Sequence, residues 1–314
     1  MTPPAQTATT PTAPRRGRPL PSTPSGRSPL TTMSLMTDQC DEILEGTTTS
    51  IKSARSALIS ILGELVAPYR RPVRTAALLY ALTGVGFGES ASRQAISRAG
   101  ASGLIAPERD GRETKWAVTE RSYELFREGT TRVFPDTSAQ RWDGNWLVLI
   151  VPIPESQRAT RKKLYAALRW AGFGNPSAGI WVSPHADRLS EAQSAIESLD
   201  LQSNTISFIG SPTTVGISES EIVHRSWDLD KVSSAYESLR ARFDNNNHLT
   251  GKAALVAHIE LIDALRHTPY MDPQLPQELL PDWPGLTVIR RLQELRTERA
   301  PAAHAHWLEI ARPD

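Results

Sequence analysis

At 314 residues the chain is too long for one small core, so two or three globular units and a flexible end are expected. Lys+Arg 35 against Asp+Glu 34 leaves a formal net charge of +1. The total neither demands nor excludes a nucleic-acid partner, and any DNA-facing surface must come from a local basic face. The single cysteine, Cys40, excludes an intramolecular disulfide, and the longest apolar run, Trp146 to Ile153, is too short to span a bilayer. No apolar core of a secretory signal stands at the N-terminus, so a cytoplasmic location is expected.

From Met1 to about Ser50 the residues are mostly Pro, Thr, Ser and Arg with almost nothing to bury, which predicts a disordered tail over 1–50. Within it Arg16-Gly17-Arg18-Pro19 matches the short core of an AT-hook, whose arginines enter the narrow minor groove of A·T-rich DNA. Four residues recur freely, and an accidental basic patch reads the same.

Apolar residues at helical spacing begin at Ile51 and continue through Ala54, Leu58, Ile61, Leu62 and Leu65 to Pro68, predicting a helix with one buried face. A second helix is expected from about Val73 to Leu82, stopped by the glycines of 84–88. A third follows, capped by Glu89 or Ser90. With Ile96 at its buried centre, a rotation of about 100° per residue turns Ser92 and Ala99 inward. The same rotation turns Ser90, Gln94, Ser97 and Arg98 outward, with Arg93 on the flank. Hydroxyls, an amide and guanidinium groups are what base edges and phosphates accept in the major groove. Next, Leu104-Ile105-Ala106 and Thr114 to Val118 flank an Asp110-Gly111 turn, a strong hairpin signal that carries Arg109, Arg112 and Lys115. Three helices followed by a basic two-stranded wing is the winged helix-turn-helix order. Thr119 is placed to cap a closing helix through Phe126.

The middle of the chain changes period. Trp146 to Val151 reads as a strand, a basic helix runs from about Gln157 to Trp170, and 172–176 reads as a turn into the strand Gly179 to Ser183. A helix from about Leu189 to Leu199 and a strand from Thr205 to Ile209 complete a β-α-β-α-β order, which implies a ferredoxin-like α/β sandwich. The last third reads as helices over Leu229 to Phe243, Lys252 to Leu265 and Val288 to Leu295, with a proline-punctuated connection from Asp272 to Gly285.

Phosphate-loop, HExxH and CxxC signatures are absent from the sequence, so neither a metal site nor catalytic residues are expected. His304 and His306 sit in an Ala-rich end and read as solvent-exposed. Core packing accounts for most tryptophans, though one or two can line an apolar ligand pocket.

Several stretches together resemble the PaaX family of repressors. They include Ser56 to Glu64, Arg93 through Arg98 with Gly103-Leu104 and Gly111-Arg112, and Trp142-Asp143-Gly144-Asn145-Trp146. Leu168 to Gly174, Gly179 to Pro184, Ser226-Trp227-Asp228-Leu229 and Asp272 to Gly285 complete the set. The resemblance implies an α+β multidomain chain: a winged helix-turn-helix over 51–134, a Cas2-like sandwich over 135–225 and a helical domain over 226–314. It also implies a homodimer on double-stranded operator DNA, released by an acyl-CoA effector such as phenylacetyl-CoA. The wing is less basic than is usual in the family, and no motif fixes the effector's contacts. Two other classes stay open: a regulator or architectural DNA binder without small-molecule control, and a Cas2-like metal-dependent nuclease with Asp143 as its carboxylate.

Overall fold

The computed structural model describes residue 51 and residues 53–110, 113–133, 141–244 and 248–312. The expected tail, the Arg16-Gly17-Arg18-Pro19 motif, Cys40 and Arg112 lie outside the described residues.

The first helix, α1 (Ala54–Ile61), is capped by the Ser53 hydroxyl, which accepts from the Ser56 amide, and it widens into a π-helical turn over Leu62–Val66. The expected second helix begins two residues late. Val73–Arg74 instead form a short strand, β1, because their backbone pairs with a later strand, and α2 (Thr75–Gly84) follows. α3 (Glu89–Ala101) leads into β2 (Ile105–Asp110) and β3 (Glu113–Val118), an antiparallel ribbon to which β1 adds on the far side of β3. α4 (Glu120–Val133) closes the unit, with the Thr119 hydroxyl accepting from the Ser122 amide as the expected cap.

The middle unit consists of β4 (Trp146–Ile150), α5 (Arg158–Trp170), β5 (Gly174–Ser177), β6 (Ile180–Ser183), α6 (Leu189–Ser198) and β7 (Ile206–Gly210). The expected turn at 172–176 gives way to β5, which pairs with β6 across a bulge. Pro176 fits there because β5 is an edge strand and owes no ladder bond on its outer side. With β5 the order becomes βαββαβ and the antiparallel sheet runs β5-β6-β4-β7, the ferredoxin-like arrangement. The apolar run of β4 is continuous because both faces are covered. Leu147 and Leu149 pack under α5 and α6 with Trp181, while Trp146 packs on the opposite face with Val182, Val223 and Leu275.

The helical remainder is longer than expected: α7 (Glu219–Ser226), α8 (Leu229–Phe243), α9 (Gly251–Met271) and α10 (Pro284–Ala311). Pro269 and Pro301 lie inside the last two rather than ending them. Packing carries these helices onward, since Leu255 and Ile259 of α9 and Trp307 of α10 belong to the same hydrophobic core as α1 to α3. The segment between them straps the sandwich to this region. Asp272 accepts from the Tyr236 hydroxyl at 2.6 Å and the Trp283 ring at 3.3 Å, and Leu275 is buried against the sheet.

A polar seam joins α1 to α9. The buried Asp263 carboxylate accepts from the hydroxyls of Ser56 at 2.7 Å and Ser60 at 2.9 Å, and Arg266 donates to both hydroxyls. Removing Asp263 would leave the buried Ser56 hydroxyl without its acceptor and the half-buried Arg266 guanidinium without its counter-ion, so Asp263→Ala is expected to lose about 3–5 kcal/mol in urea unfolding. Asp263→Asn, which retains an acceptor oxygen, is expected to lose less.

Candidate nucleic-acid interface

The sequence places α3 as follows. Gly88 takes an extended conformation and is the N-cap residue, in place of the expected Glu89 or Ser90. Glu89 instead occupies the first turn and Arg98 the last, both favourable to the helix dipole. Gly103, at φ 74°, reverses the chain into β2. Ser92, Ala95, Ile96 and Ala99 are buried, and Ser90, Arg93, Gln94, Ser97 and Arg98 are exposed, so the expected face is the one presented to solvent. Arg93 donates to Glu89 at 2.6 Å, an exposed i,i+4 pair of the kind that contributes little and exchanges readily.

Trp116 of β3 locks this helix to the ribbon. Its ring lies against Gly100, where an added Cβ would meet the indole at 2.9 Å, and its Nε1 donates to the Thr75 hydroxyl at 2.9 Å. Thr75 in turn donates to the Thr114 carbonyl. The start of α2, the back of α3 and the ribbon therefore meet at one indole. The alternating pattern did not show this joint, because Trp116 read only as a strand residue.

Of the expected ribbon residues, Arg109 is exposed and stands opposite Thr114. Lys115 is half-buried in the central strand, opposite Glu108 on one side and Arg74 on the other. An acidic neighbour tempers its charge, whereas Arg109 has the open position.

The tail-end histidines depart from expectation. α10 packs against the N-terminal unit, where the Tyr69 hydroxyl and His304 Nδ1 are 2.8 Å apart and the Tyr80 hydroxyl and His306 Nε2 are 3.1 Å apart. Neither histidine is fully exposed. Glu64, 3.8 Å from His304, also meets His258 and Arg296. Burial alone would raise the Glu64 carboxyl, but the hydrogen-bonding His258 and Arg296, with His304 nearby, outweigh it and hold the group well below the usual carboxylate range. Glu64, His258 and His304 lie far apart in sequence, so no motif marks their approach to one another. Asp143, the carboxylate of the nuclease reading, accepts from the backbone and side-chain nitrogens of Asn145 and so closes its own turn.

Together the architecture is a mixed α+β chain, with a Cas2-like sandwich following an N-terminal unit of helices and ribbon and preceding a helical C-terminal region. The chain belongs to the PaaX family. Residues 53–122 match the description "PaaX-like protein", 139–223 "PaaX protein central Cas2-like domain" and 227–309 "PaaX-like protein C-terminal domain". It is 27% identical over 266 residues to "Transcriptional repressor PaaX" of Escherichia coli (strain K12), covering 81% of this chain and 82% of that protein. The solved structure of "Uncharacterized protein Rv0674 from Mycobacterium tuberculosis" shares the fold, with a TM-score of 0.56 at 22% identity over 82% of this chain and 98% of that one. No helix among the described residues is long and apolar enough to cross a membrane.

The indole joint makes a direct prediction. Gly100→Val should force α3 away from Trp116 and lower stability by about 1–3 kcal/mol, the usual cost of overpacking, in chemical denaturation.

Proposed function

We propose that the chain is a transcriptional repressor, not an enzyme, and that 51–134 acts as a winged helix-turn-helix on double-stranded operator DNA. The observation that carries this reading is the α3 face of Ser90, Gln94, Ser97 and Arg98, which has no core duty and stands beside an antiparallel ribbon. Kinship with a protein described as a transcriptional repressor supports it. In this reading α3 lies in the major groove, where Gln94 pairs with adenine and Arg98 with guanine edges, and Ser90 and Ser97 hydrogen-bond nearby. Arg93, Arg109, Arg112 and Lys115 meet phosphates and set the register without reading sequence.

The chain acts as a homodimer, since one α3 reads only a half-site and two-fold symmetry matches a pseudo-palindromic operator. The units 135–225 and 226–314 supply the dimer and the effector site. An acyl-CoA, phenylacetyl-CoA or a near relative, releases the repressor by favouring a dimer geometry that misplaces the two recognition helices.

Two experiments test this. Gln94→Ala or Arg98→Ala should lose about 1–3 kcal/mol of discrimination between operator and random DNA, read by fluorescence anisotropy. Arg109→Ala and Lys115→Ala should weaken binding to both DNAs and shallow the salt dependence. Identical behaviour of the helix and ribbon variants on the two DNAs would reject the assignment of α3.

For the effector, titration of a panel of acyl-CoA esters with and without operator should find one that binds outside 51–134 and weakens DNA binding by about 5- to 150-fold. Operator must weaken that thioester's binding by the same factor, and the free acid should do little. A thioester that binds free and DNA-bound protein equally would refute the switch and leave DNA binding standing.

A further inference from the structure

One group of side chains in the contact between the N-terminal unit and the C-terminal helices lies on neither α3 nor the ribbon. Glu64, His258 and His304 come from three separate elements, the π turn after α1, α9 and α10, and each brings one donor atom to within 4.8 Å of the others. His258 Nε2 is 3.0 Å from Glu64 Oε1, and His304 Nε2 is 3.8 Å from the same oxygen. Two imidazole nitrogens and one carboxylate oxygen are the donor set of three-ligand zinc sites, whose fourth position holds water. Ligands about 2.0–2.2 Å from a shared ion stand roughly 3.3–3.6 Å from one another in tetrahedral geometry, so the two histidine–carboxylate separations need shifts of a few tenths of an ångström, and the two imidazole nitrogens, within 4.8 Å of each other, close by up to about 1 Å on binding.

Three further observations favour a ligand here. The Tyr69 hydroxyl lies 2.8 Å from His304 Nδ1, while His304 Nε2 is buried with no hydrogen-bond partner. A hydroxyl that accepts from Nδ1–H fixes the tautomer with its Nε2 lone pair toward Glu64, as outer-shell partners do for metal-bound histidines. His258 is fully buried, so packing holds its ring with Nε2 toward Glu64. Glu64 itself sits on a π-helical turn, an irregularity that is rare and concentrated at functional sites.

Arg296 opposes the ion. Its guanidinium donates to Glu64 Oε1 at 3.2 Å and Oε2 at 2.9 Å, and so neutralises the carboxylate when the site is empty. A bound cation would take Oε1 and leave Oε2 to Arg296, with two positive groups on one carboxylate.

We infer that Glu64, His258 and His304 bind a divalent transition-metal ion of the zinc type, with Tyr69 as positioning residue and Arg296 as the internal competitor. Such an ion ties the π turn after α1 to both α9 and α10.

The test is a cobalt(II) titration of the tag-free full chain after dialysis against chelator. One equivalent per chain should give the visible absorption of a four-coordinate cobalt centre, and zinc(II) should displace it. His304→Gln should abolish this spectrum, and Tyr69→Phe should weaken affinity about 10- to 100-fold, the usual cost of losing an outer-shell partner. Arg296→Gln should tighten binding, a direction that a purely structural ion pair does not predict. His306→Gln, outside the cluster, should bind as the parent does. The inference is overturned if the unaltered chain forms no such centre, or if the centre survives both His304→Gln and Glu64→Gln.

Discussion

The Asp263 carboxylate is the constraint on which the arrangement of the N-terminal unit depends. Buried between α1 and α9, it accepts from two serine hydroxyls one turn apart, and Arg266 donates to the same pair. Apolar packing alone tolerates a slide of one helix along another, but a slide here would strand buried hydroxyls and a charge. The seam therefore sets the register of α1 on α9, and the surrounding apolar contacts of Leu255, Ile259 and Trp307 lie where that register puts them. Since α3 is packed on α1 and pinned to the ribbon through Trp116, the direction of its exposed face relative to the C-terminal helices follows from the same contacts.

A second set of contacts works the same way on the sandwich. Asp272 is held by Tyr236 and Trp283, and the strap that begins there continues to Gln274, whose carbonyl lies 2.9 Å from His185 Nε2 and whose amide oxygen accepts from Arg188. Burial and the Arg188 charge keep His185 below its ordinary range, so it meets this carbonyl as a neutral ring. Gly174 has no room for a side chain because Ser226 and Trp227 cross directly over it. Each unit is thus tied by specific polar contacts to the helices that follow it.

Elements set by short-range pattern were legible in the sequence: the buried stripe of α1, the two-sided α3, the two strands of the ribbon and the strands β4, β6 and β7. Elements set by distant partners were not. Val73–Arg74 become a strand only because β3 lies beside them, and β5 is written in glycine, asparagine and proline, which read locally as a turn. The helix expected over Val288 to Leu295 runs on past Pro301, because Ala303 and Trp307 beyond it are buried in contacts that hold α10 together. The exposed face of α3 follows from a rotation of 100° per residue, while the surroundings of Glu64 follow from no periodicity, since His258 and His304 reach it only through the tertiary fold.

The central claim, that the N-terminal unit and the C-terminal helices form one cooperative body around the Asp263 seam, is tested most directly by native-state hydrogen exchange. The account predicts that the most protected amides of α1, α9 and α10 share one opening free energy and fall together in low denaturant. Exchange of α1 to α3 through an opening that leaves α9 and α10 fully protected would contradict it.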